Sequence, residues 1–268
     1  MTKGKSAAAI APLVVEATNI SEAWARIYLH ILDNSGTEIA PLVLSLSGFD
    51  EDSRLRESLD ALLLRKDKTS IENVAFTIFP ERYWLIARGD RARLFDLYEN
   101  TFGRLQARNR NSNGRGLYFQ RMTMYDRGPC EGNQLEWIIS QYNSREGVRR
   151  SMLQATIFDA GTDHVATAQL GFPCLQHVSF EPTSAGLVVN AFYATQQIFD
   201  KAYGNYLGLI QLGNFMAKEL GMQLARLNVM VGVAKFERIS KSDLDLTSVT
   251  ETARSLLAAD IKTQSEAA

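Results

Sequence analysis

Strand-like runs crowd into the second half of the chain with helices set between them, an order that commits it to an α+β domain in which helices cover a twisted sheet. Ser151 to Phe158, Gln176 to Phe180, Leu187 to Thr195 and Leu224 to Val233 read as strands. Between the last two lies a long apolar helix, Tyr203 to Leu220, closed by Gly221, which can take the left-handed backbone that ends helices.

Helical patterns dominate the first half. Ser21 is the expected N-cap of a helix to Leu32 that turns Ala23, Trp24, Ile27 and Ile31 to one face. Asn34-Ser35-Gly36 marks a turn, and Ile39 to Ser47 reads as a strand. Ser53 to Leu64 and Glu81 to Ala107 suit helices, the second interrupted by Gly89 and Gly103. Asn133 to Asn143 fits an amphipathic helix with Leu135, Ile138, Ile139 and Tyr142 inward. Arg108 to Arg115, basic and Asn-rich, reads as a surface loop. The expected organisation is a flexible N-terminal tail over 1–18, a single domain over 19–260 and a polar C-terminal tail over 261–268.

A hydrophobic share of 46% in 268 residues is enough for one sizeable core. The formal charge of -1 leaves no basic excess to neutralise phosphates, so no nucleic-acid polymer is expected as a partner. No run approaches the roughly 20 apolar residues that span a membrane. Cys130 and Cys174 are too far apart for a metal-ligand motif, and His30, His164 and His177 add no such spacing, which argues against structural zinc. Two free cysteines fit a reducing, cytoplasmic setting.

The specific signal lies between Asn133 and Lys235. In order come N-Q-L-E-W-I-I (133–139), G-V-R-R-S-M (147–152), F-P-C-L-Q-H-V-S-F (172–180) and N-A-F-Y-A-T-Q-Q-I-F-D-K-A-Y-G-N (190–205), followed by the helix from Tyr206 to Gly221. This succession resembles the thymidylate synthase and pyrimidine hydroxymethylase superfamily. That family has a helix starting D-Q-L, an arginine pair, a P-C-H strand, a strand carrying Y-Q-R-S-x-D-V-F, and an Asn opening a long helix. The resemblance rests on the order and spacing of the blocks and is weaker in the N-terminal half.

The resemblance implies a thymidylate-synthase-like α+β fold, a twisted mixed sheet covered by helices, and a homodimer formed through the sheet face with its site shared across the interface. It places Cys174 at the nucleophile position. A thiolate adding to C6 of a pyrimidine makes C5 nucleophilic toward a one-carbon electrophile; the bland reading is a small buried hydrophobe. Arg149 and Arg150 match the pair that grips a 5′-phosphate, or else form a solvated loop end. Asn205 matches the amide that reads a uracil edge, and could equally cap the helix that follows. Glu81 matches a proton-moving glutamate, or is a helix-start acid after Pro80. Tyr118 matches a site tyrosine, or is a core aromatic.

Departures from the pattern are as informative. Leu175 replaces the histidine after the nucleophile, Ala194 a phosphate-binding arginine, Thr195 a serine and Gln197 the aspartate associated with folate. V-G-V-A-K-F-E-R (231–238) lacks the His and Tyr that hold a ribose hydroxyl. Three functions follow as alternatives. The first is a divergent enzyme transferring a methyl or hydroxymethyl unit from 5,10-methylenetetrahydrofolate to C5 of a pyrimidine nucleotide or nucleoside. The second is a degenerate member that binds a nucleotide or protein without turnover. The third is an unrelated α+β interaction protein.

Overall fold

The computed structural model describes residues 11–108, 110, 114–167 and 173–266, with side chains through Ala259. It is an α+β protein built on one mixed, open sheet of seven strands. These are β1 (Leu13–Ala17), β2 (Glu38–Ile39), β3 (Leu42–Leu46), β4 (Gln154–Thr156), β5 (Leu175–Thr183), β6 (Gly186–Gln197) and β7 (Leu224–Lys235). The spatial order is β1-β3-β7-β6-β5-β4, with β2 also paired to β7. β1 runs parallel to β3 and β6 parallel to β7; the other pairings are antiparallel.

Both parallel pairs need crossovers, and helices supply them. Helix α1 (Ile20–Asp33) lies in the chain between β1 and β3, and a long helix, Tyr203–Glu219, links β6 to β7. Between β3 and β4 come α2 (Ser53–Arg65), α3 (Ile71–Phe76), α4 (Glu81–Ala87), α5 (Arg91–Arg108), α6 (Tyr118–Thr123) and α7 (Gln134–Ser144). A one-turn helix, α8 (Ala160–Asp163), precedes β5; the long helix is then α9, and α10 is Thr247–Glu266.

Alternation along the strands sorts the two faces. Leu42, Leu44 and Leu46 of β3, Val189 and Tyr193 of β6, and Leu227, Val229 and Val231 of β7 are buried together with α1 and α9. Helix α9 is buried nearly all round, as a helix between a sheet and further helices must be. It meets α3 through Gly204 and Gly208: a Cβ on Gly204 would lie 2.6 Å from Val74 Cβ, and one on Gly208 2.7 Å from the Ala75 carbonyl oxygen.

On the opposite face the alternate side chains form two rows by strand register. One row is apolar until it reaches β5: Val14, Val43, Met230, Phe192 and then His177 and Thr156. Val14, Met230 and Phe192 are 59%, 49% and 40% exposed. The neighbouring row is polar: Glu16, Ser45, Asn228, Asn190, Ser179 and Gln154. Its central members are hydrogen-bonded in sequence. Ser45 Oγ donates to Asn228 (2.8 Å), Asn228 Nδ2 to Asn190 (2.9 Å) and Asn190 Nδ2 to Ser179 (3.2 Å).

Several expected boundaries move. Residues 13–17 are not tail but strand β1, held by pairing to β3 from Leu13↔Leu42 onward. At the other end α10 continues to Glu266, so the expected polar tail from 261 is largely helix. The N-cap of α1 is Asn19, whose Oδ1 accepts from the Glu22 amide at 2.7 Å. Ser21 is instead buried, bonded to the Tyr203 hydroxyl at 2.8 Å and accepting from the Asp52 amide. Pro41 interrupts the expected strand over 39–47. The expected helix over 81–107 breaks where Arg88 and Gly89 take positive φ, while Gly103 is accommodated within α5. The strand expected over 151–158 shrinks to β4. In the loop-like run 108–115, residues 109 and 111–113 fall outside the described residues.

Candidate functional site

Cys174 sits immediately before β5, half-buried, where the end of that strand meets β6. The Ala194 amide donates to the Cys174 carbonyl at 2.9 Å, which holds the two strands together at this point. One residue further along β6, Thr195 Oγ1 lies 3.3 Å from Cys174 Sγ.

Tyr118, the first residue of α6, is brought to the same place. Its hydroxyl faces the backbone amides of Cys174 and Leu175, and burial pushes its pKa well above the usual tyrosine range. Tyr193 opposes Leu175 across the β5–β6 ladder and is fully buried. Its hydroxyl has no hydrogen-bond partner among the described residues, and Tyr118, Tyr206 and Cys174 all act on it electrostatically. The Tyr206 hydroxyl donates to Gln196 Oε1 at 2.8 Å, while Gln196 Nε2 is buried with no partner among the described residues.

Asn205 lies in the first turn of α9, beside Tyr206 in sequence. It is 5% exposed, and its carboxamide makes no hydrogen bond to a described residue. It does not cap the helix: α9 follows directly on a π-helical turn, Ile198–Ala202, and its N-cap residue, Ala202, offers no side-chain hydrogen bond.

Glu81 begins α4 and is tied to α9 further along, where Gln211 Nε2 donates to its Oε2 at 2.7 Å. Burial, and next the charge of Glu72, hold its carboxyl above the usual glutamate range. Among the described residues no hydrogen bond or ion pair joins Glu81 to Cys174; the side-chain partner of its carboxylate is Gln211.

Arg149 and Arg150 are exposed at a short 3-10 turn, and neither has an ion-pair partner among the described residues. Arg150 borders a shallow depression of about 460 Å³ with Tyr142, Val148 and Pro182. Pro182 is at the far end of β5 from Cys174. At about 3.3 Å per strand residue the separation is roughly 26 Å. Within one chain, the arginine pair does not reach the thiol.

Sequence reasoning missed the Tyr193 hydroxyl, which lies within electrostatic range of Cys174, and the Gln196 amide and Lys201 ammonium on β6 and the turn that follows it. Tyr193 stands in an alternating strand and reads as an ordinary inward aromatic. Lys201 belongs to the π-helical turn, whose geometry no periodicity announces. Among the described residues there is no group of three or more His, Cys, Asp or Glu side chains placed to hold a metal ion. No described helix is long and apolar enough to cross a membrane. No family model and no curated protein matches the chain.

Proposed function

We propose that this chain is a thymidylate-synthase-like protein that activates C5 of a pyrimidine by adding the Cys174 thiolate to C6. The observation that carries the reading is the buried Tyr193 hydroxyl, which has no hydrogen-bond partner among the described residues and lies within electrostatic range of the Cys174 thiol, together with the likewise unpartnered amide nitrogen of Gln196, whose carboxamide is bound to the neighbouring Tyr206. Leaving a buried donor or acceptor unsatisfied costs about 1–3 kcal/mol, so two such groups on the strand beside a nucleophile favour hydrogen bonds made to a ligand. A carboxamide donates and accepts together, which suits the N3–H and O4 edge of a uracil ring.

In the step itself, sulfur forms a bond to C6 and the C5–C6 π pair moves into the carbonyl system as an enolate. C5 then takes a proton from water. Reversal removes a proton from C5 and expels the thiolate, so hydrogen at C5 exchanges with solvent.

The folate implied by the resemblance finds a poorer fit. Gln197 stands where an acid would be expected, and its carboxamide, oriented to satisfy both neighbours, bridges Asp200 and Arg238. We therefore assign Cys174 the activation of C5 and route no step through a folate.

The open face of the sheet supports a homodimer. Val14, Met230 and Phe192 form an exposed apolar row that a second copy would cover. That copy could also deliver its own arginine pair to a site roughly 26 Å from the pair in the same chain.

Binding without turnover is a second reading. It is favoured by the absence, among the described residues, of any His, Asp or Glu hydrogen-bonded to Cys174 Sγ; the partner there is Thr195. Tritium release from 5-tritiated pyrimidine nucleosides and nucleotides separates the two. Exchange that disappears in Cys174→Ser is expected; no release from any pyrimidine would eliminate the catalytic reading.

A further inference from the structure

Directly after Cys174 the strand register breaks. Along β5 and β6 the pairs run Leu175↔Tyr193 and then His177↔Phe192, so Gln176 is an extra residue on β5 and forms a β-bulge. A bulge bends the strand that carries it and re-aims the side chains beside it. Thiol addition as set out above gives Gln176 no part.

This residue is tied down at both its backbone and its side chain. Its carbonyl accepts from two amides of the chain leaving β4, Ile157 at 2.9 Å and Phe158 at 3.2 Å. Its side chain turns back on the chain, where Gln176 Nε2 donates to the carbonyl of Pro173, the residue before Cys174. Pro173 is buried, where a carbonyl needs a donor, and it lies ahead of the first β5–β6 pair, so strand pairing does not supply one. On the far side of the thiol, the Cys174 carbonyl accepts from the Ala194 amide at 2.9 Å. The two peptide groups that flank the Cys174 α-carbon are therefore both held, and with them the direction of its Cα–Cβ bond. Sγ ends 3.3 Å from Thr195 Oγ1.

We infer that Gln176 is a positioning residue for the nucleophile: its carboxamide holds the Pro173–Cys174 peptide so that the thiol is presented beside Thr195 in one orientation. This rests on the reading of Cys174 as the group that adds to C6. Such an attack comes from one face of a flat ring, so a sulfur free to swing is seldom in line, whereas a fixed one starts there. Gln176 touches no reacting atom and acts only through the peptide ahead of the thiol.

The test compares the full chain with Gln176→Met, which keeps the side chain's length and removes its donor, and with Gln176→Lys, which restores a donor. Two quantities are measured: C5 tritium exchange, and the rate of Cys174 alkylation by iodoacetamide. Peptide mass separates the alkylation of Cys174 from that of the exposed Cys130, which serves as internal reference. Gln176→Met should lower kcat for exchange roughly tenfold or more with little change in KM. Its loosened thiol should alkylate about threefold faster while Cys130 is unchanged. Gln176→Lys should recover most of both effects. Thr195→Val should also speed alkylation, and adding Gln176→Met to it should do little more, because the carboxamide acts by keeping Sγ at Thr195. If melting shows the methionine variant unfolded, Gln176→Glu, whose carboxylate cannot donate, takes its place. Cys174 alkylation unchanged by the loss of the donor would overturn the proposal. So would an equal rise at Cys130, no recovery with lysine, or full additivity with Thr195→Val. A wild-type chain that exchanges no tritium, yet shows the expected alkylation pattern, would remove the pyrimidine reading and leave the hold on the thiol standing.

Discussion

The Tyr206 hydroxyl donates to Gln196 Oε1 at 2.8 Å, a hydrogen bond buried between α9 and β6. It joins the helix that carries Asn205 to the strand that carries Thr195, whose hydroxyl lies 3.3 Å from Cys174 Sγ. Because Gln196 Nε2 is already unpaired, Tyr206→Phe would leave both ends of that carboxamide unsatisfied. The expected loss is about 1–3 kcal/mol, read by urea denaturation with an unchanged slope. A variant as stable as wild type would mean that Gln196 finds another partner when the hydroxyl is gone.

Mixing two inactive variants tests the shared site. Cys174→Ser loses the thiol, and the double change Arg149→Ala, Arg150→Ala loses the cations at the far end of β5. In a dimer whose sites each use both copies, a mixed pair holds one intact site. Random reassociation then restores C5 exchange to about a quarter of wild type. No recovery after verified subunit exchange would place both functions within one chain.

Phe192 lies within the exposed row between Met230 and His177. Phe192→Arg puts a charge into the surface that a second copy would bury, where an unpaired charge is strongly unfavourable. Sedimentation equilibrium should show wild type at twice the chain mass and the variant at the chain mass, with similar far-ultraviolet dichroism. A wild-type monomer would remove the sheet-face dimer and, with it, any part for the arginine pair at the thiol.

Glu81 has a calculable sign. Its carboxyl is held above the ordinary range by burial and by Glu72, so the folded chain binds this proton more tightly than the unfolded chain. The corresponding stability is complete below the unfolded value of about 4.5 and is lost as pH rises through the raised folded value. Glu81→Gln, neutral throughout and still able to accept from Gln211, should therefore melt higher than wild type at neutral pH. That advantage should vanish on acidification toward pH 4.5. An equal difference at both ends of the range would assign the effect to shape rather than charge.

Much of the architecture was legible from local chemistry. Asn133 caps α7 through its Oδ1, Gly221 takes positive φ after α9, and the alternation of β6 and β7 is explicit in their apolar residues. The misses have physical causes. Leu13 to Ala17 has no neighbour in sequence to pair with, and only β3, across α1, makes it a strand. Asn19 and Ser21 are both good caps, and the choice between them is set by Tyr203, far along the chain. The candidate site divides in the same way. Cys174 stood out because a thiol in an ordered set of blocks is rare, while Tyr118 looked like core until the fold set it against the Cys174 amide.

The glycine contacts between α3 and α9 bear on how a ligand would be received. Gly204 and Gly208 let α9 pack directly on α3, so that a side chain at either position would push the two helices apart, and Asn205 follows Gly204 directly in the sequence. The backbone that carries the carboxamide is thus set in place by folding, and part of the ordering that binding would otherwise demand is already complete. Affinity should then follow shape and charge alone, with little induced closure, and a methyl group added at Gly204 should be felt first as slower, looser recognition by a site that has begun to move.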